Sequence, residues 1–292
     1  MPILESIAYY GIISWFIPAA GKEIISLFMK TDFWVSYITK YSMNSRPEDI
    51  FNFGEEDENN AVVEIELISA ISLAVENNRY GLQIICAPPG SGKSTYLKFG
   101  LQALKSKRAM RIFKGGSYLV SINKICDFLG IPHHKTLSDF IPEGSIIIID
   151  QVDFTGDAFN ETIQSNITEL ATDSHNSKKY LVILSISNPN FALKTLGCNG
   201  SEKINIMFSP LDLRWTVNEA KKYLLLKEMK EKELHNTIDL FKLCYCPKIL
   251  RDYVFKINPD RNIFERRAEN KNKQWNEFEI ILPTNVINYY MI

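Results

Sequence analysis

Charge of one sign is missing from this chain: 33 basic residues stand against 34 acidic ones over 292 positions, a formal net charge of −1. No global field draws it to nucleic acid or a membrane surface, so either partner would need a local patch. Histidine is scarce, with four residues in all, and the pair His133-His134 reads as a polar turn rather than a metal site. The five cysteines, Cys86, Cys126, Cys198, Cys244 and Cys246, form no Cys-x-x-Cys pair, which argues for reduced thiols in an intracellular protein. Long hydrophobic runs are also lacking. Ser6 to Gly21 carries no charge, yet it falls short of the ~18 to 20 residues a membrane helix needs, contains Gly11 and Pro18, and has no basic stretch before it.

What is present sorts into three regions. Residues 1–60 read as a hydrophobic N-terminal helical segment followed by an acidic linker, Glu55-Glu56-Asp57-Glu58. The apolar residues within 3–38 suit helices packed on the core or a partner, with membrane association as the alternative. Residues 61–210 open on a helix to about Asn77 and then alternate strand and helix patterns. Strands are expected at 81–87, 109–114, 145–150, 180–187 and 204–208. Helical patterns fall between them, one using Tyr118, Ile122, Ile125 and Leu129 and another using Phe159, Ile163, Ile167 and Leu170. Such alternation implies a parallel sheet with helices on both faces. From 211 to 292 strand patterns stop. Thr216-Val-Asn-Glu219 is a capping-box signature, a second helix covers Leu234 to Cys244, and Pro247 suits the start of a third. The basic stretch Lys256 to Lys273 is interleaved with Glu265 and Glu269 and reads as a solvated face, with nucleic-acid contact as the alternative.

The chemistry concentrates where the first strand ends. Ala87-Pro88-Pro89-Gly90-Ser91-Gly92-Lys93-Ser94-Thr95 runs from an apolar strand into a helix whose Leu97, Leu101 and Leu104 share one face. Glycines in such a turn let backbone N–H groups point inward at phosphate oxygens. Lys93 brings a positive charge to the β- and γ-phosphates, and the Ser94 hydroxyl can ligate Mg²⁺. Ala87 stands where this pattern usually has glycine.

A second element is Gly144-Ser-Ile-Ile-Ile-Ile-Asp150, a strand apolar enough to be buried on both faces. Asp150 emerges at its carboxyl end, where open α/β sheets bind ligands, and can hold Mg²⁺ opposite Ser94. Gln151 follows it. Glutamine can position a water molecule without acting as a base, which leaves slow turnover, or none without a partner, open. Asn188, at the end of the fourth strand, can reach the terminal phosphate or the attacking water; it could equally start a turn with Pro189.

With these residues assembled, the chain resembles the AAA+ superfamily of P-loop ATPases over roughly residues 61 to 255, and within it the archaeal-type and STAND-like members. Ala87 to Ser94 look like Walker A, Ile146 to Asp150 like Walker B, and Asn188 like sensor 1. The stretch Tyr245-Cys-Pro-Lys-Ile-Leu-Arg251 is similar to the lid motif that supplies sensor 2, with Lys248 at the matching position and Arg251 one turn on. The resemblance implies an α/β fold: a parallel-sheet P-loop NTPase core with helices on both faces, plus a C-terminal helical lid. It also implies ATP and Mg²⁺ as cofactors, an ATPase acting as a switch or motor on a protein or nucleic acid, and a homo-oligomer as one form of assembly. The family's glutamate after Asp150 is absent, and Arg214 is a candidate arginine finger against a packing role. Superfamily 3 helicases share the strand-ending asparagine. The alternatives in function are a nucleotide-binding scaffold with little hydrolysis and a small-molecule kinase.

Overall fold

Isoleucine, valine and leucine dominate the five strands because a strand covered on both faces favours apolar, mostly branched side chains. In the computed structural model these are β1 (Gly81–Cys86), β2 (Met110–Lys114), β3 (Ser145–Asp150), β4 (Tyr180–Ile186) and β5 (Ile204–Phe208). Every residue of β1, β3 and β4 is buried. The described residues are 32–43, 72–73, 75–77, 80–102, 108–132, 135–153, 159–198, 203–208, 213–254 and 260–282. The apolar stretch 6–21, the acidic linker and His133-His134 lie outside them.

All neighbouring strands are parallel, in the order β2-β3-β4-β1-β5. The helices are α1 (Asp32–Ser42), α2 (Lys93–Gln102), α3 (Ile122–Leu129), α4 (Leu137–Phe140), α5 (Glu161–Ser177), α6 (Pro189–Leu196), α7 (Val217–Leu226), α8 (Glu231–Lys242), α9 (Pro247–Val254) and α10 (Arg261–Ile281). The step from β1 to β2 crosses the sheet in the opposite sense to the later steps. Right-handed crossovers therefore put α2 on one face and α3, α5 and α6 on the other. Packing agrees: Leu97 and Leu101 join Ile85, Ile146, Ile148 and Ile183 in one layer. Ile125, Ile167 and Phe191 join Ile84, Ile147 and Leu184 in the other. Chain connections leave β1 and β4 toward opposite faces, which opens a crevice at their carboxyl ends.

Local signals explain the helix ends. Asn160 caps α5 by accepting from the Ile163 N–H, and Gly130 closes α3 in the left-handed conformation. Phe159 thus stays outside α5, edge-on to Phe191. Thr216 and Glu219 form the expected capping box at α7. The helix expected through Tyr118 is instead split: Ser117–Val120 is a 3₁₀ turn following two left-handed glycines, α3 begins only after Ser121, and Tyr118 is exposed. Of the helix expected before β1, residues 72–73 and 75–77 are helical, and Val75 packs in the α2 layer. Helix α1 docks on the core through Val35 and Met43. No helix among the described residues is long and apolar enough to cross a membrane.

The basic stretch ending at Lys273 presents Arg261, Arg266, Glu269 and Lys273 to solvent as a solvated face, with Arg267 and Lys271 partly buried. Residues 261–273 belong to α10, which buries Phe264, Ala268, Trp275 and Phe278. Arg261 pairs with Glu265 at 2.7 Å, and Arg267 pairs with Asp252 at 2.7 Å.

Candidate functional site

The loop between β1 and α2 adopts its shape through two glycines with left-handed backbone, Gly90 at φ 84° and Gly92 at φ 99°. Ala87 has no such backbone and its N–H donates to Ile186 O at 3.3 Å, so a methyl group is tolerated where the pattern usually has glycine. Pro88 is buried, Pro89 exposed, and Ser91 N–H donates back to Pro88 O at 3.2 Å. The first turn of α2 then presents Lys93, Ser94 and Thr95 below the loop. The Lys93 ammonium is turned onto the loop's own carbonyls, donating to Ala87 O at 2.6 Å and Pro88 O at 3.3 Å. Burial pulls its pKa down to about 8, against the nearby Asp150 and Asp153 carboxylates, which raise it.

Because β4 alone separates β1 from β3, the start of α2 reaches the end of β3. Ser94 Oγ donates to Asp150 Oδ2 at 2.8 Å. Asp150 is fully buried, and its other oxygen, Oδ1, has no hydrogen-bond partner among the described residues. A hydroxyl and a buried carboxylate with one open oxygen are hard oxygen donors of the kind Mg²⁺ takes, and the residues present therefore fit that ion. Among the described residues no group of three or more His, Cys, Asp or Glu could hold a metal.

Beyond Asp150 the chain turns sharply. Gln151 has φ 57°, an unusual conformation for a residue with a side chain, and its carbonyl accepts from Gly116 N–H at 3.2 Å. Asp153 bends back so that both carboxylate oxygens accept from the Ser187 N–H at 2.9 Å. This ties the end of β3 to the end of β4. Asn188 is exposed and caps α6, its side-chain oxygen accepting from Asn190 N–H and Phe191 N–H. Its oxygen is thus committed to the cap of α6.

Helix α9 closes over the loop. Lys248 N–H donates to Gly90 O at 3.4 Å, and Cys246 Sγ lies 3.4 Å from the same carbonyl. A methyl group on Gly90 would sit 2.8 Å from Lys248 Cβ. Lys248 is therefore on the loop, whereas Arg251 is half-exposed on the same helix with Asp252 at 3.8 Å. Arg214 is a packing residue: its guanidinium lies 4.8 Å from the Tyr245 ring and 5.6 Å from the Trp275 ring, and pairs with Glu279 at 3.1 Å. All five cysteines are buried and free.

The sequence places Lys271 only within a basic stretch, but α10 delivers it to the loop, where Nζ donates to Pro89 O at 2.9 Å and Gln274 Oε1 at 2.8 Å. Its signal in the sequence is the stripe Phe264, Ala268, Trp275, Phe278, with Lys271 occupying the remaining step of the helical period.

The parallel sheet, its strand order and the glycine loop leading from β1 into α2 define an α/β P-loop fold. No protein-family model matches the chain, and no curated protein matches it. Similar solved structures include domain III of the replication initiation protein DnaA from Thermotoga maritima, at 17% identity, 78% of this chain, 95% of that one and a TM-score of 0.42. A Walker-type ATPase of Pyrococcus abyssi follows at 14% identity, 77% and 75% coverage and a TM-score of 0.49. DnaA from Aquifex aeolicus bound to AMPPCP has 14% identity, 76% and 64% coverage and a TM-score of 0.39. These scores are low, and the fold assignment rests on the chain's own sheet and loop.

Proposed function

We propose that the chain is an AAA+-like ATPase that binds ATP with Mg²⁺ between β1 and α2. Hydrolysis would shift helices α7 to α10 relative to the sheet and so act on a protein or nucleic acid. The observation that carries this reading is the Ser94–Asp150 hydrogen bond with a buried carboxylate oxygen left open beside the loop. Loop N–H groups and the start of α2 favour an anion there. Lys93 would exchange its loop carbonyls for the β- and γ-phosphates, while Ser94 and Asp150 would hold Mg²⁺. The ion supplies charge neutralisation at the phosphate oxygens. Lys248, which lies against Gly90, couples the helical unit to the same loop.

A nucleotide-binding scaffold with slow hydrolysis is favoured by a separate observation. The Asp153 carboxylate is occupied by Ser187 N–H, and Gln151 offers an amide where a base would serve. Mg²⁺-dependent ATP binding and steady-state hydrolysis by the full chain test both readings, with Lys93→Ala and Asp150→Asn as controls. Binding with turnover that both substitutions abolish supports the ATPase. Binding without turnover moves the assignment to the scaffold, and no binding by the wild-type chain overturns both.

A further inference from the structure

Helix α10 joins two bodies of packing. Phe264 and Ala268 lie with Leu240, Cys246 and Ile249 of the preceding helices. Trp275 enters the α2 layer, and Phe278 enters the layer on the opposite face of the sheet. Lys271 stands between these anchors on the inward side of the helix, where an apolar residue would pack most simply. Its ammonium instead meets a backbone carbonyl and a neutral amide, Pro89 O and Gln274 Oε1, and neither carries a charge to balance it.

A half-buried cation held by neutral acceptors is costly compared with one paired to an anion. The Lys93 ammonium also rests on carbonyls of the same loop, those of Ala87 and Pro88, with the Asp150 and Asp153 carboxylates nearby. Two cations from different elements thus converge on three successive loop carbonyls. They are near enough for their like charges to oppose each other. Since a lysine at the Lys93 position serves the β- and γ-phosphates, its neighbour stands at that end of a polyphosphate rather than at the nucleoside end.

We propose that Lys271 is a nucleotide-binding residue that donates to the terminal phosphate of ATP, so that α10 is held more firmly by a triphosphate than by a diphosphate. This rests on the reading that the loop binds ATP. An ammonium has three N–H donors, two of which are used by Pro89 and Gln274, so the third can be donated to a phosphate oxygen without loss of either bond. Because α10 is anchored in both bodies, a contact made only with the triphosphate would report the state of the nucleotide to the helical unit and the sheet together.

Calorimetric titration of the full chain with ATP, ADP and adenosine, in the presence of Mg²⁺, tests this on the wild type, Lys271→Met and Lys271→Arg. Loss of a charge-assisted hydrogen bond predicts that Lys271→Met weakens ATP about tenfold or more and ADP less than about threefold, with Lys271→Arg retaining most of the affinity. A purely structural lysine would lower affinity for both nucleotides alike, and that result, or no change in either, overturns the inference while leaving the loop reading intact. Hydrogen exchange of residues 261–281 in the wild-type chain gives a second measure that needs no variant. Stronger protection with a non-hydrolysable ATP analogue than with ADP is expected, and equal protection overturns the inference. Failure of the wild type to bind ATP would overturn both the reading and the inference.

Discussion

Ser94 Oγ donates to Asp150 Oδ2 across 2.8 Å while Asp150 Oδ1 is buried with no partner among the described residues. A run of isoleucines ends on a carboxylate that the protein serves only by half, and a buried charge in that condition costs stability. Asp150→Asn keeps an oxygen for Ser94 and removes the charge. It is expected to raise the stability of the nucleotide-free protein by about 1 kcal/mol and to remove the Mg²⁺ dependence of nucleotide binding. Thermal unfolding with and without Mg²⁺ measures both effects. A lower midpoint than the wild type would mean that the carboxylate is already well served without the ion.

The two loop glycines separate backbone strain from contact with α9. At Gly92 an added methyl group would meet nothing nearer than the Tyr96 ring at 3.5 Å, so Gly92→Ala carries the left-handed backbone cost alone, about 1–2 kcal/mol. At Gly90 the same cost applies, and the methyl group would also lie 2.8 Å from Lys248 Cβ. Displacing α9 adds about 1–3 kcal/mol. Urea unfolding of the two variants should therefore rank Gly90→Ala as the less stable, and equal losses would argue against tight seating of α9 on the loop.

Arg214 separates a packing arginine from an arginine finger. Its stacking on Tyr245 and Trp275 and its pairing with Glu279 join the segment before α7 to α10. Arg214→Ala should lower unfolding stability by about 1–3 kcal/mol through lost stacking and packing. Glu279 is nearly half-exposed, so its ion pair with Arg214 adds little. A finger would behave in the opposite way, with stability retained and turnover lost, and parallel unfolding and hydrolysis assays distinguish the two.

The parts of this molecule that were legible in the sequence are those whose chemistry is local. Four successive isoleucines before Asp150 can only be a covered strand, and Gly-Ser-Gly-Lys-Ser after an apolar run carries its own turn geometry. Thr216 and Glu219 lie three residues apart, the spacing the capping box needs. Other features depend on where the chain goes next. The direction of Asp153 follows from the left-handed turn at Gln151, which no spacing encodes. Lys271 was hidden because α10 is mostly charged on its surface, and its buried stripe includes an alanine and the lysine itself, which dilutes the helical period. Tyr118 had helical spacing with Ile122, but Gly115 and Gly116 bend the chain before it and a 3₁₀ turn intervenes.

Buried thiols give the protein an alkaline limit. Burial pushes Cys86 and Cys244 up to about 12 and Cys126 to about 11, from an ordinary value of 9.0. These are groups whose folded pKa is raised, so their contribution is full below 9 and is lost as pH climbs toward 11 and 12, because the unfolded chain releases protons that the folded one keeps. Burial acts on Lys93 in the opposite sense, lowering it from 10.5 to about 8, so the unfolded chain holds the extra proton between those values and stability rises there. Between 8 and 9 the lysine acts first and stability should rise slightly. Above 9 the five thiols, all raised by burial, outnumber Lys93 and Lys271, which burial lowers, and stability should fall. Urea unfolding midpoints across this range should therefore pass through a maximum near pH 9. A curve that keeps climbing would mean that the folded protein already holds thiolates, and the first place to look would be Cys86, whose charge the neighbouring Lys93 would stabilise.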